Sequence, residues 1–290
     1  MNKENYTISK FKNSFNGDDG AVVGKWVFSK DLFCENIHFR REYMSLREIA
    51  IKSMLVNISD AIVMNARPKF ALLGLVLPKN INESEICELT SGFNEIADEF
   101  DMQIIGGDTV GGDRLEISIT VISKTKNPIF RTGSKNGDFI AFTGDLGSVK
   151  KEFEYLENLR SFGNSQIRSE FDAKFTNSKF IKPSLHGDFF YKISKFINSA
   201  MDLSDGLATD LEKFLNANKS GVLFLKEITK DEFQSGEEYE ILFSFSPKHR
   251  KKILKLADKF GVKITIFGKL CDLDENTKFI NFVKNHHFND

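Results

Sequence analysis

The stretch Ile104-Ile105-Gly106-Gly107-Asp108-Thr109-Val110-Gly111-Gly112-Asp113 leads an apolar segment into paired glycines that flank a carboxylate and a hydroxyl. Glycines allow positive φ and let the backbone approach a ligand closely. Successive N–H groups in such a turn form an anion-binding nest, and Asp108 adds a hard oxygen ligand that suits Mg²⁺. The stretch is therefore predicted to be a phosphate- and metal-binding turn, with a plain glycine-rich hairpin and a solvated aspartate as the alternative.

Apolar periodicity and helix caps predict the elements around this stretch. The segment 21–31 has the pattern of a strand pair, and the segments 69–77 and 115–123 each read as one strand. Ser45-Leu46-Arg47-Glu48 is a capping box that opens a helix, and Asn82 with Glu85 opens a second one. Residues 1–125 therefore follow the order β-β-α-β-α-β-β, which predicts a mixed α/β domain within the α+β class rather than a parallel doubly wound one.

A polar, turn-rich segment at 124–138 predicts a domain boundary, with an N-terminal domain at 1–125 and a C-terminal α+β domain at 126–290. In the second half, Gly144-Asp145-Leu146-Gly147 joins a strand at 139–143 to a helix, a common seat for phosphate. Helices are predicted at 207–219 and from Ser246-Pro247 to Gly261, and strands at 241–245, 262–267 and 279–283. The fold class is thus α+β with two domains.

Composition narrows the function classes. The net charge of -1 gives no electrostatic reason to expect nucleic acid or an anionic membrane as partner. Cys34, Cys87 and Cys271 are far apart, which argues against a disulfide framework or a zinc site. The beginning of the sequence has no apolar core of signal-peptide length, and no apolar run is long enough to span a bilayer. A cytoplasmic protein is expected.

Aspartates recur at the ends of apolar elements, next to Gly, Ser, Asn or Thr. Each one alone is explained as a helix cap or a turn residue, but carboxylates at element ends can also converge in a cleft. Several ionised carboxylates share a site only when they are neutralised, and oxygen-only ligation favours Mg²⁺. Such a site predicts phosphoryl transfer. The aspartates are Asp18, Asp19, Asp31, Asp60, Asp108, Asp202 and Asp205.

The sequence resembles the thiamine-monophosphate kinase family, in the superfamily that includes aminoimidazole ribonucleotide synthetase and selenophosphate synthetase. Seven blocks spread over nearly the whole chain carry the resemblance in the family's order. They are Gly17-Asp18-Asp19, Ser29-Lys30-Asp31 followed by His38-Phe39, Val56-Asn57-Ile58-Ser59-Asp60, Asp101-Met102-Gln103-Ile104-Ile105-Gly106-Gly107-Asp108-Thr109, Arg131-Thr132-Gly133, Asp202-Leu203-Ser204-Asp205-Gly206 and Gly236-Glu237-Glu238-Tyr239-Glu240.

The resemblance implies roles for individual residues. Metal-binding positions are Asp18, Ser29, Lys30, Asp31, Asp60, Asp108, Asp202 and Asp205. Nucleotide-contacting positions are Phe100, Gly107, Asp108, Arg131 and Ser204. Substrate-contacting positions are His38 and Glu237, with Phe282 in place of an aromatic residue that stacks on thiamine. Asp108, Asp60, Asp31 and Arg131 are expected to act in catalysis.

The resemblance also implies a reaction and an assembly. The family transfers the γ-phosphoryl of ATP directly onto the phosphate of thiamine monophosphate, with Mg²⁺ and without a phosphoenzyme. A monovalent ion such as K⁺ is a further candidate cofactor. The family is dimeric, and a homodimer in which the N-terminal sheets pair into a barrel is the corresponding expectation.

Departures from the family pattern keep alternatives open. Lys30 stands where threonine is usual, and its ammonium could displace one metal ion; Ser235 and Glu238 replace glycine and aspartate. One alternative is a nucleotide- and Mg²⁺-binding sensor without turnover, which Lys30 favours. The other is a different synthetase of the superfamily, although no cysteine precedes Cys34 as selenophosphate synthetase would need.

Overall fold

The structure is a computed structural model that describes residues 3–12, 15, 17–163 and 166–273. Phe282 and the predicted strand at 279–283 lie outside these residues. The helices are α1 (Lys3–Ile8), α2 (Leu46–Val63), α3 (Glu83–Glu99), α4 (Ser148–Ser161), α5 (Ile167–Lys174), α6 (Gly187–Ile193), α7 (Leu207–Asn218), α8 (Lys230–Gln234) and α9 (Arg250–Phe260). The strands are β1 (Ala21–Val23), β2 (Trp26–Cys34), β3 (Arg67–Pro78), β4 (Gln103–Gly112), β5 (Glu116–Lys124), β6 (Phe139–Thr143), β7 (Ser199–Asp202), β8 (Ser220–Phe224), β9 (Ile241–Phe245) and β10 (Ile264–Asp272).

The first five strands form one sheet in the order β1-β2-β5-β3-β4. β3 and β4 are parallel and are joined through α3, whereas the other neighbours are antiparallel. Alternate residues of β5, including Ile117, Ile119 and Val121, are buried on the side of the sheet that α2 covers. Both predicted capping boxes form, at Ser45 with Glu48 and at Asn82 with Glu85. The predicted mixed order of strands and helices is confirmed.

The glycine-rich stretch does not form the predicted turn. Residues 103–112 are an extended edge strand, β4, paired along its length with β3. Gly107 has φ of 151°, and a Cβ at this position would lie 1.7 Å from the carbonyl oxygen of Leu73. Glycine is therefore required here because two backbones approach closely, but the neighbouring backbone is β3 rather than a bound phosphate.

The second sheet has the order β7-β9-β6-β10-β8 and is antiparallel throughout. α2 of the first half packs against β7 and α6 of the second, so one buried apolar cluster includes side chains from both halves. Each sheet falls on one side of the predicted boundary at 125/126, and the division into two domains stays a prediction. Within the described ranges, every helix is too short or too polar to cross a bilayer.

Candidate active site

Carboxylates from three separate segments meet beside the end of α2, which contacts strands of both sheets. Asp19 lies in the loop before β1, Asp60 near the end of α2 and Asp202 at the end of β7. One carboxylate oxygen from each lies within 4.8 Å of the others, close enough to hold a single metal ion. Asp202 also accepts a hydrogen bond from the Ser59 hydroxyl at 2.9 Å, which fixes its orientation. We call Asp19, Asp60 and Asp202 the acidic triplet.

Two further aspartates adjoin the acidic triplet. Asp31 lies in β2, in register with the buried Ile119, and so points to the α2 side of the sheet. The Asp18 carboxylate accepts a hydrogen bond from the backbone N–H of Arg131. Burial raises the pKa of Asp18 and of Asp31 to about 6, and the charge of Asp19 acts in the same direction.

The same physical causes act more strongly on two members of the acidic triplet, Asp60 and Asp202. Burial raises the pKa of Asp60 well above its ordinary value, and the neighbouring Asp31 and Asp202 raise it further. The pKa of Asp202 is also raised well above its ordinary value, by burial and by Asp19. Buried carboxylates that share a site disfavour joint ionisation unless cations neutralise them.

Two buried carboxylate oxygens at this site lack a hydrogen-bond partner within the described part of the chain. Asp19 Oδ2 and Asp31 Oδ2 are both buried, and neither has a hydrogen-bond partner among the residues that the structure describes. Unsatisfied buried carboxylate oxygens are rare in folded proteins and call for an explanation such as an ion. A hard divalent cation such as Mg²⁺ fits this oxygen-only donor set.

Two basic side chains neutralise part of the acidic charge. Arg131 Nη2 donates to Asp19 at 2.6 Å, and although burial alone would lower the pKa of Arg131, the Asp19 carboxylate raises it overall. Lys213 forms an ion pair with Asp205 and lies 3.4 Å from Asp210. Asp210 is fully buried, which raises its pKa to about 7, and it accepts the backbone N–H of Asp205. Asp205 therefore pairs with a lysine beside the triplet.

Ser29 and Ser204 occupy the edges of the site. The Ser29 hydroxyl donates to the side-chain oxygen of Asn57 at 2.6 Å, so it braces β2 against α2. Ser204 follows Asp202 by two residues, and its carbonyl accepts the N–H of Glu237 at 2.7 Å. The loop that carries Asp202 is thus tied directly to the loop that carries Glu237.

Two predicted metal positions, Lys30 and Asp108, lie on the other face of the first sheet. Asp31 is in register with Ile119, which pairs with Leu73, which pairs with Gly107. Successive residues of a strand point to opposite faces, so Lys30 and Asp108 face away from α2. Both side chains are exposed, and the Lys30 ammonium donates to Ser118 on the same outer face. Within one chain, these two side chains do not enter the acidic triplet.

The predicted nucleotide positions separate in the same way. Arg131 and Ser204 adjoin the acidic triplet, whereas Gly107 lies in the edge strand β4. Phe100 caps the end of α3 and lines a cavity of about 560 Å³ that Arg67 and Tyr191 also line. The structure therefore does not gather the five predicted nucleotide positions, Asp108 included, around one point of a single chain.

The predicted substrate residues lie around a buried lysine. The Lys52 ammonium donates to Glu237 at 2.8 Å and lies 5.9 Å from the centre of the Phe33 ring. His38 contacts the same phenylalanine, because its ring stacks on Phe33. Its Nδ1 accepts a hydrogen bond from the N–H of Cys34 at 3.0 Å. His38 and Glu237 thus belong to one region, connected through Phe33 and Lys52.

The two departures Ser235 and Glu238 form one network. Glu238 is fully buried and accepts hydrogen bonds from the N–H of Gly147 at 2.6 Å and from the Ser235 hydroxyl at 2.6 Å. It also forms an ion pair with Lys179 at 2.7 Å. The beginning of α4, predicted to be a phosphate seat, is therefore filled by a carboxylate of the chain itself, and that prediction is wrong.

Lys52 was absent from the predicted site residues, and Asp19 was named among the recurring aspartates but was given no role of its own. The adjacent pair Asp18-Asp19 was a visible signal for Asp19, because both carry the same turn context. Lys52 has no comparable signal, since a lysine inside a helix is usually solvated.

Residues 17–125 match the family model described as AIR synthase related protein, N-terminal domain. Over a longer span, the thiamine-monophosphate kinase of Nitrosopumilus maritimus is 31% identical across 238 residues, which is 78% of this chain and 75% of that protein.

The chain belongs to the thiamine-monophosphate kinase family. The family member from Buchnera aphidicola subsp. Schizaphis graminum is 29% identical over an alignment that covers 93% of this chain and 87% of that protein. A solved structure of AaThiL complexed with AMPPCP and TMP has a TM-score of 0.79 at 21% identity, covering 93% of this chain and 90% of that one. That likeness establishes the mixed α+β fold of the thiamine-monophosphate kinase family, and membership of the family makes the chain a kinase.

Proposed function

We propose that this kinase transfers the γ-phosphoryl group of ATP onto the phosphate of thiamine monophosphate, giving thiamine diphosphate and ADP. Membership of the family supports the substrate pair, as does the AaThiL structure complexed with AMPPCP and TMP. The single observation that carries the chemistry is the acidic triplet, in which carboxylates from three elements meet with unsatisfied buried oxygens beside them.

Asp19, Asp60 and Asp202 are the residues proposed to hold Mg²⁺, with Asp18 and Asp31 adjoining. A bound Mg²⁺ would supply charge neutralisation on the phosphate oxygens. Burial, and then the charge of neighbouring carboxylates, raises the pKa of Asp18, Asp31, Asp60 and Asp202, and a bound cation would neutralise this concentration of acidic groups. K⁺ is proposed as a further, monovalent cofactor.

Arg131 is proposed to contact a phosphate of the nucleotide. Its Nη2 already holds Asp19 at 2.6 Å, while its Nε is buried and has no hydrogen-bond partner among the described residues. A buried guanidinium N–H without an acceptor favours a nearby anion.

A strong general base is not needed for this reaction. The acceptor phosphate of thiamine monophosphate carries negative oxygens and is itself the nucleophile, so the chain's contribution is to bind and orient both reactants. Holding two reactants in line accounts for about 7–11 kcal/mol of a barrier. Because the acceptor phosphate supplies the nucleophile, direct transfer needs no phosphoenzyme intermediate.

A homodimer is proposed because Asp108 lies on the outer face of the first sheet. That face also exposes apolar side chains, among them Phe28, Leu32, Leu72 and Val110. A second copy placed on this face would cover these apolar groups and would bring Asp108 and Gly107 to the partner's site. Within one chain the Lys30 ammonium bonds Ser118 and does not displace a metal ion from the acidic triplet.

The proposal is tested by incubating the protein with Mg²⁺, ATP and thiamine monophosphate and by following thiamine diphosphate and ADP. Equal amounts of both products are expected, with none from free thiamine. ATP binding without product on any thiamine compound would contradict the kinase assignment and favour the sensor.

A further inference from the structure

Lys52 is a fully buried lysine at the centre of α2, with 0% of its side chain exposed. Lysine is almost never fully buried unless its charge is paired. Here the ammonium donates to Glu237 Oε2 at 2.8 Å, and it lies 3.9 Å from the centre of the Phe180 ring. An ammonium over an aromatic face is stabilised by the ring quadrupole. Lys52 therefore has an anionic partner and an aromatic one, both outside α2.

Glu237 is held from its backbone as well as from its side chain. Its φ of 56° lies in the left-handed region, which residues other than glycine rarely occupy. Such a conformation persists only where the surroundings fix it. The N–H of Glu237 donates to the carbonyl of Ser204 at 2.7 Å, and that of Tyr239 donates to Leu203 at 2.9 Å. Lys52 fixes the other end of the residue, the carboxylate.

The pair also lies in a defined position relative to the acidic triplet. Lys52 and Asp60 are separated by two turns of the same helix, or about 12 Å at 1.5 Å per residue. Glu237 belongs to the loop tied to Ser204, two residues after Asp202. Asp60, near the end of α2, thus belongs to the proposed phosphate and metal site. Lys52, about 12 Å away along the same helix, holds the Glu237 carboxylate.

We propose that Lys52 is a positioning residue, whose ammonium fixes the Glu237 carboxylate as a hydrogen-bond acceptor for a donor on the organic part of the substrate. This inference rests on the proposed function, because it takes thiamine monophosphate as the molecule that Glu237 meets. A carboxylate paired with a buried ammonium accepts hydrogen bonds and donates none. It selects an N–H donor, such as an amino group on a heteroaromatic ring.

The test compares Lys52→Met and Lys52→Arg with the parent enzyme in steady-state kinetics. Lys52→Met is expected to raise the KM for thiamine monophosphate about tenfold or more, while kcat and the KM for ATP change by less than about threefold. Lys52→Arg restores a cation and is expected to recover most of the lost affinity. Lys179→Met is the matched control: it also removes a lysine paired to a buried glutamate, Glu238, yet it is expected to lower the melting temperature without a selective rise in that KM.

Glu237→Gln keeps the inference falsifiable if Lys52→Met does not fold. It should raise the KM for thiamine monophosphate to a similar extent, and adding Lys52→Gln to it should change that KM little further. A KM within twofold of the parent in folded Lys52→Met or Glu237→Gln would overturn the inference. Equal loss in all three kinetic parameters would also overturn it, by indicating a purely structural role. If the parent itself forms no thiamine diphosphate, the proposed function fails instead.

Discussion

The carboxylates of Asp31 and Asp108 point to opposite faces of one sheet. Gly107, the residue before Asp108, lies in the same cross-strand row as Asp31 through Ile119 and Leu73. Three strand spacings, or about 14 Å, separate Asp31 at one end of this row from Gly107 at the other. Asp31 adjoins the acidic triplet, whereas Asp108 is exposed on the apolar outer face. A shared site between two copies is the arrangement in which both aspartates act on one ATP.

Subunit complementation tests this arrangement. Asp60→Asn and Asp108→Asn are each expected to be nearly inactive as separate, folded proteins. When equal amounts are unfolded and refolded together, half of the dimers carry one variant of each kind. Each such dimer then has one intact site, so about a quarter of the parent activity should return. Mixtures that stay as inactive as the separate variants would show that Asp108 does not act across the dimer.

The metal-free protein should lose stability as the pH rises. Burial raises the pKa of Asp18 and Asp31 to about 6 and that of Asp210 to about 7, against 3.8 in the unfolded chain. Between these values the folded state holds protons that the unfolded state has released, so the free energy of unfolding falls as the pH rises from about 4 to about 7. In EDTA, thermal melts should therefore give a lower melting temperature at pH 8 than at pH 5.5.

Excess Mg²⁺ should raise the melting temperature more at pH 8 than at pH 5.5, because protons and the cation compete for the same carboxylates. Asp60→Asn is the control, since it removes one member of the acidic triplet and should reduce the Mg²⁺ effect. A melting temperature that does not respond to Mg²⁺ at pH 8 would contradict the metal assignment.

Glu238→Ala should destabilise the fold strongly. Glu238 is fully buried, accepts the Gly147 N–H at the beginning of α4 and pairs with Lys179. Lys179 keeps its second partner, Glu240, at 2.8 Å, but the Gly147 N–H and the Ser235 hydroxyl lose their buried acceptor. Each buried donor left unsatisfied lowers the free energy of unfolding by about 1–3 kcal/mol. Urea unfolding measures the change. Lys182→Ala, which removes a half-exposed lysine 3.5 Å from Glu95, should change it by less than about 1 kcal/mol. Equal effects of the two substitutions would refute the role given to Glu238.

Gly107→Ala should disrupt the pairing of β3 with β4. The added Cβ would lie 1.7 Å from the Leu73 carbonyl oxygen, which cannot move without breaking the strand pair. Gly111→Ala is the matched substitution in the same strand, because its Cβ would meet nothing within 4 Å. Circular dichroism melts should show a large loss of folding stability for Gly107→Ala. For Gly111→Ala the free energy of unfolding should change by no more than about 0.5–1 kcal/mol. Similar stability of both variants would contradict the close approach.

Local signals in the sequence were sufficient for the element order of the first half. The capping boxes at Ser45 and Asn82 involve side chains only three residues away, so short-range sequence specifies them, and both helices begin as predicted. Paired glycines at 106 and 107 were less informative. They indicate that a backbone approaches closely, but only the tertiary structure reveals that this backbone is β3.

The site itself was predictable in composition but not in arrangement. Aspartates at the ends of elements indicated a shared carboxylate site, and Asp60 and Asp202 do meet there. Sequence alone does not tell which face of a sheet each aspartate takes relative to strands that are distant in the chain, so Asp108 and Asp31 looked equivalent. Lys52 was missed because its partner Glu237 is 185 residues away and no local pattern links the two.

The central claim is direct transfer from ATP to the phosphate of thiamine monophosphate. It is tested most directly with ATP labelled at its γ-phosphorus, Mg²⁺ and thiamine monophosphate, followed by analysis of the labelled products. The label is expected in the terminal phosphate of thiamine diphosphate, in an amount equal to the ADP formed, with none retained on the protein. Label released as inorganic phosphate without thiamine diphosphate, or label bound covalently to the chain, would contradict it.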